Sequence, residues 1–372
     1  MSDVMVMFRM IRAALCASAT LALLAGCSGG NSSAVFSPAG PGVGVRSVQR
    51  QIASTGRADN SLLPPAIARI SHEPIATASY IDPRAIGTSL IFVSDAANGV
   101  VDIYPLAGKN QKMVGQITGL TQPQGLTTDK NGNLYVANTN SSNVLVYAPP
   151  YTGAPKRTIS DPNEFPADVA VSSTGIVAVT NICNAPHCRL NTGNVNIYAK
   201  GSTKSCATVS DSTFNFTSVM FAEFDKNGAL YIDGLNGGYQ TSFGLVTGGC
   251  HATGITNLSY IYTVAFPGGI QIDSAGRIAF CDPYRFQVAT FDPPVGGGFG
   301  NPVSTTPLTG STLAMGIAIL ASGVDLYAAD AGGPGLAEKY KYPAGGAAIN
   351  TIAVGGQPIG ITVTQPLSKE NN

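Results

Sequence analysis

The stretch QPQGLTTDKNGNLYVANTNSSNVLVYAP, residues 122 to 149, is the part of the sequence that decides the fold. It contains three short apolar segments separated by the polar stretches DKNG and NTNSSN. Apolar runs rich in β-branched and aromatic residues, bounded by Gly, Asn and Asp, are typical of antiparallel strands joined by tight turns. The stretch therefore predicts three consecutive strands, of which the second is LYVAN, Leu134–Asn138.

This second strand recurs along the chain as an apolar run closed by Asp or Asn. The six copies carry Asp95, Asn138, Asn181, Asp233, Asp282 and Asp330. Neighbouring copies lie 43 to 52 positions apart, which is the length of one four-stranded propeller blade. A two-sheet sandwich would not need the same strand six times. The sequence therefore predicts an all-β protein, a six-bladed β-propeller with four-stranded blades.

The end of the chain indicates how the ring closes. QPIGITVTQ, residues 357 to 365, is a further copy of the first-strand motif with no second strand after it. We expect this C-terminal strand to pair into blade one, which leaves the ring without a free sheet edge. Gly125, Gly269, Gly316 and Gly360 mark first strands, where we expect backbones to crowd a central channel.

The repeat resembles the NHL-type six-bladed β-propellers, whose blades open with P-x-G-[IL]-x-x-D-x-x-G-x-[LI]-Y-V-[AS]-[DN]. Residues 123 to 138 match this signature well, and residues 267 to 282 match it in part. The blade that starts near Val219 keeps DKNGALYID but has Phe221 in place of the glycine. The resemblance covers about residues 74 to 365 and implies a propeller over nearly all of that range.

The first residues have the pattern of an export signal. Two arginines precede an apolar run over residues 13 to 25, and LAGC ends at Cys27. LAGC is similar to the lipobox of bacterial lipoproteins, which implies a signal peptide at 1–26 and a lipid on Cys27. The alternatives are an ordinary secretory signal with a chance cysteine and a short buried helix. In that class, Ser28 after the cysteine favours the outer membrane, so we expect an exported, membrane-anchored lipoprotein.

Composition sets the domain plan. We expect a flexible linker from the lipidated cysteine through 27–70, a propeller at 71–367 and a polar tail at 368–372. The 44 glycines, 24 prolines and 11% charged residues favour turns and strands over long exposed helices. The formal net charge is zero, without a basic block, which excludes nucleic acid as an expected partner.

The Asp and Asn residues at the strand ends are candidates for a ligand ring at the channel face. Six equivalent oxygens on one level would suit a hard cation or a small polar ligand. Asp and Asn at a strand end also bond the backbone of the following turn, and the turn repeats with the strand, so we favour this structural interpretation.

One acidic residue is a candidate metal ligand. The gluconolactonase-like propellers, which the chain resembles distantly, hold a divalent cation with Glu, Asn and Asp near the channel. Glu223 is the one glutamate on a predicted first strand, but its neighbours do not reproduce that family's motifs. No cofactor is expected apart from this candidate cation, and a metal-dependent hydrolase or lactonase is the alternative function.

The cysteines indicate disulfides, because these persist in exported proteins. A bridge between Cys183 and Cys188 would pin the CNAPHC loop, and Cys206 is a candidate partner for Cys250. Sequence does not settle the connectivity, and a Cys and His metal site in the same loop is the alternative. Cys281, inside IAFCD, is expected to be a buried small hydrophobe.

Tyrosines mark the loops of blades four and five. Tyr239, Tyr260, Tyr262 and Tyr284 lie in or near these loops, where they would either form a face for a partner or fill gaps between blades. We expect a monomeric, non-enzymatic binding or scaffold module of the cell envelope. Its partner would be an envelope protein or peptide, or a small polar ligand, and it would touch the membrane only through its lipid.

Overall fold

The computed structural model describes residues 78–185 and 192–364, which form six blades around a central channel. Its strands are β1 (Tyr80–Ile81), β2 (Leu90–Asp95), β3 (Val100–Pro105), β4 (Gly115–Ile117), β5 (Pro123–Thr128), β6 (Leu134–Asn138), β7 (Asn143–Tyr147), β8 (Arg157–Ser160), β9 (Glu164–Val171), β10 (Val177–Asn184), β11 (Asn194–Tyr198), β12 (Ala207–Ser210), β13 (Ser218–Phe224), β14 (Leu230–Leu235), β15 (Thr241–Val246), β16 (Thr256–Tyr260), β17 (Ile270–Ile272), β18 (Ile278–Asp282), β19 (Gln287–Phe291), β20 (Gly298–Phe299), β21 (Ser304–Thr309), β22 (Ala314–Ile319), β23 (Asp325–Asp330), β24 (Leu336–Lys341), β25 (Gly346–Ala347), β26 (Asn350–Ala353) and β27 (Pro358–Val363).

Helical structure in these residues is limited to short 3-10 turns. They lie at Pro83–Ala85, Thr139–Ser141 and Gly249–His251. In this part of the chain, no helix has the length and apolarity needed to cross a membrane. The predicted signal peptide, Cys27, the linker and the polar tail lie outside the described residues.

Each blade is an antiparallel sheet of four strands that runs outward from the channel. Blades two, three and six have the orders β5-β6-β7-β8, β9-β10-β11-β12 and β22-β23-β24-β26. Blade four adds β20 to β13-β14-β15-β16, and blade five adds β25 to β17-β18-β19-β21. Both added strands come from the following blade and pair parallel to the outer edge. The prediction of an all-β, six-bladed propeller is confirmed.

Ring closure follows the predicted route. Blade one has the order β27-β2-β3-β4-β1, so the C-terminal strand lies innermost. The pairing of β27 with β2 places Ile91 opposite Val363 and Val93 opposite Ile361. This joins the first and last strands of the ring and confirms the prediction for blade one.

The first strands approach one another closely around the channel. A Cβ built on Gly269 would lie 3.1 Å from the Gly316 Cα, and one on Gly316 would lie 3.1 Å from the Gly360 Cα. A Cβ on Gly360 would likewise lie 3.1 Å from the Gly125 Cα. These distances confirm that glycine recurs on the first strands because there is no room for a side chain.

The hydrophobic core lies between neighbouring blades. All six residues of Leu90–Asp95 are buried, because the sheet is covered on both faces by adjacent blades. Between blades four and five the filling is aromatic, with the Phe280 ring centroid 4.5 Å from that of Phe243 and 5.4 Å from that of Phe299. One blade alone could not bury these faces, so stability depends on the complete ring.

A disulfide links blades three and four. Cys206 and Cys250 are bonded, with Cα atoms 5.2 Å apart, which confirms the predicted pair. Cys183 is also disulfide-bonded, and its predicted partner, Cys188, lies outside the described residues. Cys281 is a buried free thiol whose Sγ donates to the Ala314 carbonyl at 3.2 Å, as expected of a core residue.

Candidate functional site

The Asp and Asn residues at the ends of the second strands are buried, and five of the six accept hydrogen bonds from backbone N–H groups, whereas Asn181 bonds the side chain of Asn194. All six have exposures of 0 to 4%. Asp330 accepts hydrogen bonds from the backbone N–H groups of Thr312 and Leu313, both at 2.6 Å, and of Gly332 at 3.0 Å. The carboxylate thus connects the end of the second strand to the start of the first.

Other members of the ring act in the same way. Asp233 accepts from the N–H groups of Phe221 and Gly268, both at 3.1 Å, so it spans blades four and five. Asn138 accepts from the Thr121 N–H at 2.7 Å. Burial raises the pKa of Asp233 well above its ordinary value.

This geometry favours the structural interpretation of the ring over the ligand interpretation. The residues that line the central cavity include none of the six. Within residues 78–185 and 192–364, no group of three or more His, Cys, Asp or Glu residues could hold a metal ion. The oxygens that a cation would need are already hydrogen-bonded to the backbone in the ring members Asn138, Asp233 and Asp330.

The central cavity is narrow and contains two acidic side chains. Its volume is about 30 Å³, room for about one water molecule. Asp168 and Glu223 line it from blades three and four. Asp168 Oδ2 accepts from the Ala222 N–H at 3.1 Å, and Glu223 Oε2 accepts from Gln271 Nε2 at 3.1 Å.

Both channel acids are shifted toward their neutral forms. Burial raises the pKa of Asp168 to about 7. Burial, with a contribution from the nearby Asp168 charge, raises the pKa of Glu223 to about 8. The pair can therefore take up and release protons near neutral pH, but the cavity has no space for an organic substrate beside them.

Sequence reasoning placed Glu223 on a first strand but missed Asp168. Aligning PADVAVS with PQGLTTD puts Asp168 at the position of Gly125, so the signal was present in the repeat. The expectation that Glu223 is the one glutamate on a first strand is wrong, because β9 begins at Glu164. Strand β9 begins two residues before the segment PADVAVS, which the repeat pattern assigned to it.

A second candidate site is formed by loops at one end of blades four and five. These loops precede β13, connect β14 to β15, precede β17 and connect β18 to β19. We call their exposed large apolar side chains the aromatic loop face. It comprises Phe214, Tyr239, Ile261, Tyr284 and Phe286, with exposures of 39 to 72%.

Three residues of this face have left-handed backbone conformations. The φ angles are 61° for Phe214, 59° for Tyr239 and 53° for Phe286. A bulky residue in this region costs on the order of 1 to 3 kcal/mol. In the corresponding turn of blades one and six the left-handed residue is a glycine, Gly99 or Gly335. Folding alone therefore gives no reason for an exposed phenylalanine at 286.

The tyrosines predicted for these loops divide into two groups. Tyr239 and Tyr284 are 51% and 39% exposed and belong to the face. Tyr260 instead fills space: its ring lies 5.1 Å from that of Phe243, and its hydroxyl donates to the Thr241 carbonyl at 2.6 Å. Tyr262 is half-buried, with its ring 6.0 Å from that of Phe291 and its hydroxyl accepting from Gln287 Nε2 at 2.5 Å.

Comparison with known families supports the blade assignment. The NHL repeat family matches residues 120–147, the stretch that contains β5, β6 and β7. The protein is thus a six-bladed β-propeller with a recognisable NHL repeat in blade two, as the sequence pattern predicted. A search among curated proteins found no match.

Solved structures share the fold at low sequence identity. A chain of a nidogen/laminin complex superposes with a TM-score of 0.59 at 15% identity, covering 75% of this chain and 99% of that chain. A Bacteroides caccae protein of unknown function gives 0.55 at 10% identity, with coverage of 75% and 99%. A functionally unknown protein from Desulfotomaculum acetoxidans gives 0.50 at 14% identity, with coverage of 78% and 89%. These similarities establish the propeller fold.

Proposed function

We propose that the protein is an exported, lipid-anchored propeller that binds a protein or peptide partner of the cell envelope through the aromatic loop face. The observation that carries this proposal is the set of exposed aromatic side chains on left-handed backbone, Phe214, Tyr239 and Phe286. Exposed aromatic rings that cost folding energy are typical of binding surfaces, where burial against a partner repays that cost.

The scaffold suits this role. The loops of the face are fixed at their bases by β-strands and by contacts such as the Gly237 N–H donating to the Phe214 carbonyl at 3.0 Å. Loops held by a rigid propeller lose little conformational entropy on binding. The similar structure from the nidogen/laminin complex is compatible with a protein partner for such a fold.

A metal-dependent hydrolase or lactonase is less well supported. Such an enzyme would need converging acidic ligands and room for a substrate in the channel. The strand-end oxygens of Asp233 and Asp330 bond backbone N–H groups instead, and the cavity of about 30 Å³ admits about one water. The non-enzymatic binding role requires neither.

The binding proposal is tested by site-specific photo-crosslinking in intact cells. A crosslinking residue at Tyr284 is expected to give a discrete adduct, which is lost when Tyr239→Ser and Phe286→Gly are combined in the same chain. A crosslinker at Val324, 52% exposed in a turn of blade six, is the control and should give none. Equal adducts from both positions, or an adduct that survives both substitutions, would overturn the proposed face.

The anchoring proposal needs a separate measurement. Mass spectrometry of the mature N-terminus is expected to find Cys27 as the first residue, carrying lipid. The Cys27→Ser variant should lose the lipid and leave the membrane fraction. A mature chain that begins elsewhere, or a Cys27→Ser variant that stays in the membrane fraction, would contradict lipid anchoring without affecting the proposed binding face.

A further inference from the structure

A groove opens between blades two and three at the end of the propeller opposite the aromatic loop face. Its volume is about 390 Å³, within the range of about 300 to 1,000 Å³ typical of small-molecule sites. Its walls include the turn between β5 and β6, the turn between β9 and β10, and the connection between β7 and β8. Turns between first and second strands lie at one end of a blade, and turns between second and third strands lie at the other. The groove is therefore at the end opposite Tyr239 and Phe286, which lie in turns of the second kind.

The groove is lined by basic side chains. Lys130, Lys156, Arg157 and Lys200 all line it. None of the four belongs to an ion pair in the part of the chain that the structure describes. The chain as a whole has 21 basic and 21 acidic residues, so this positive charge is a local accumulation.

The one carboxylate in the groove wall is used by its own turn. Asp129 accepts from the N–H groups of Asn131 at 2.8 Å and Asn133 at 2.9 Å, and from Asn133 Nδ2 at 2.7 Å. Four basic groups against this carboxylate leave an excess of three positive charges. Bringing uncompensated like charges together is unfavourable unless an anion joins them.

Two of the basic side chains are held in place by packing. The Arg157 guanidinium lies over the Tyr135 ring, 5.7 Å from its centroid, and its Nη2 donates to the Tyr135 hydroxyl at 3.3 Å. That hydroxyl is the single acceptor that the described residues provide for the guanidinium, and the buried Nε lacks one there. The Lys200 stem packs on Gly175, where a Cβ would lie 3.0 Å from the Lys200 Cγ.

We propose that this groove binds the phosphate or sulfate group of an anionic ligand. A planar guanidinium and nearby ammonium groups match the multiple oxygens and the double charge of such a group. A single carboxylate would leave most of the positive charge unbalanced. The group would belong either to a small soluble molecule or to a lipid headgroup, and the chemistry that the groove recognises is the same in both.

The first test is titration calorimetry of the full chain with sodium pyrophosphate at low salt. We expect saturable binding that weakens as salt is raised. Arg157→Gln and Lys200→Gln should each reduce the affinity by about tenfold, the loss of one charge-assisted contact. A melting temperature close to that of the unmodified chain will show that each variant is folded.

The repeat provides a matched control. Lys130 and Lys226 occupy the same position in identical DKNG turns, of blades two and four, but Lys226 does not line the groove. We expect Lys130→Gln to weaken pyrophosphate binding severalfold and Lys226→Gln to leave it unchanged. Equal weakening by the two substitutions would mean nonspecific attraction and would overturn the proposal.

A second arm separates the two sources of the oxyanion. Flotation with vesicles of phosphatidylglycerol in phosphatidylcholine is compared for the Cys27→Ser chain, which lacks the proposed lipid, and for Arg157→Gln and Lys226→Gln made in that chain. Flotation that falls with Arg157→Gln but not with Lys226→Gln would assign the group to a lipid headgroup. Pyrophosphate binding without flotation would assign it to a soluble ligand. Absence of both would overturn the site, and neither result bears on the aromatic loop face.

Discussion

The carboxylate of Asp168 in blade three lies against the α-carbon of Gly125 in blade two, where a Cβ would overlap it. The Asp168 Cα would itself be 2.7 Å from such a Cβ, so rotating the carboxylate away would not make room. The ring is closed, and neither strand can move outward without disturbing its neighbours. The space at the channel is therefore fixed by backbone, which makes glycine necessary at 125.

Replacing Gly125 with alanine should destabilise the propeller. We expect a loss of about 1 to 3 kcal/mol in the free energy of unfolding, the usual cost of forcing atoms into a packed site. Gly300→Ala is the control, because a Cβ there has nothing within 4 Å, and it should change stability by less than about 0.5 kcal/mol. Denaturant unfolding of both variants measures the difference, and similar losses would contradict the crowding argument.

Stability should fall as pH rises, in part because of Glu223. Its pKa is about 8 in the folded protein against an ordinary value of 4.5, so between these values the folded state holds a proton that the unfolded state releases. The stabilisation is thus fully present below about pH 4.5 and is lost as pH rises through about 8. Glu223→Gln cannot ionise, so it should lose less stability than the unmodified protein between pH 5 and 9.

Melting temperatures across that pH range test this prediction. Asp292→Asn is the control for removing an acidic side chain, because the Asp292 side chain is 69% exposed. If Glu223→Gln and the unmodified chain lose stability in parallel, the carboxyl group of Glu223 is not buried in the channel as the structure places it.

The architecture could be read from the sequence because a propeller repeats its local pattern. The second-strand motif of Leu134–Asn138 marks every blade, and the incomplete last repeat indicates the pairing of β27 with β2. The outer strands β20 and β25 could not be foreseen in this way. They pair with the preceding blade through two residues each, too few to leave a pattern.

The candidate sites were only partly predictable. The sequence placed Tyr239 and Tyr284 in the right loops. It did not single out Phe286, because the left-handed backbone angle that distinguishes this residue is visible only in the structure. The basic groove was missed because Arg157 and Lys200 lie on different blades and meet only through the packing of their outer connections. Such convergence of distant residues leaves no local signal.

The strand-end carboxylates should contribute to stability in the absence of any cation. Asp330→Ala leaves three backbone N–H groups without their acceptor, which we expect to cost about 2 to 4 kcal/mol in the free energy of unfolding. Asp330→Asn keeps one acceptor oxygen and should cost less. A loss under about 0.5 kcal/mol for the alanine variant would show that these bonds do not stabilise the fold.

Chelation distinguishes this role from metal binding. The melting temperature should be the same with EDTA and with added Ca²⁺, Mg²⁺ or Zn²⁺, because an ion that binds only the folded state would raise it. Titration of EDTA into the full chain provides the measurement. A drop that one cation restores would return the ring, or Glu223, to the role of metal ligand.

The disulfide between blades three and four should also stabilise the ring. Removing it with Cys206→Ala and Cys250→Ala is expected to cost about 2 to 4 kcal/mol, mainly through the greater freedom of the unfolded chain. Each single variant already breaks the bond and should cost nearly as much as the double variant. Additive losses in denaturant unfolding would instead mean that each side chain acts by its own packing.

Two aromatic residues with the same left-handed backbone should respond in opposite ways to glycine. Tyr151, with φ of 68°, is buried, its ring 4.8 Å from that of Phe92 and its hydroxyl donating to the Gly132 carbonyl at 2.8 Å. Tyr151→Gly should cost about 3 to 5 kcal/mol, as loss of a buried aromatic ring does. Phe286 is 43% exposed, so glycine there removes backbone strain and little packing.

Phe286→Gly is therefore expected to leave the free energy of unfolding unchanged or raise it by up to about 1 kcal/mol, while it weakens binding of the partner. Denaturant unfolding gives the first quantity, and the yield of the Tyr284 crosslink gives the second. If Phe286 is kept for binding at a cost to folding, the substitution should lower the crosslink yield without lowering the free energy of unfolding. A Phe286→Gly variant that is clearly less stable, with its crosslink intact, would make Phe286 a packing residue and remove it from the aromatic loop face.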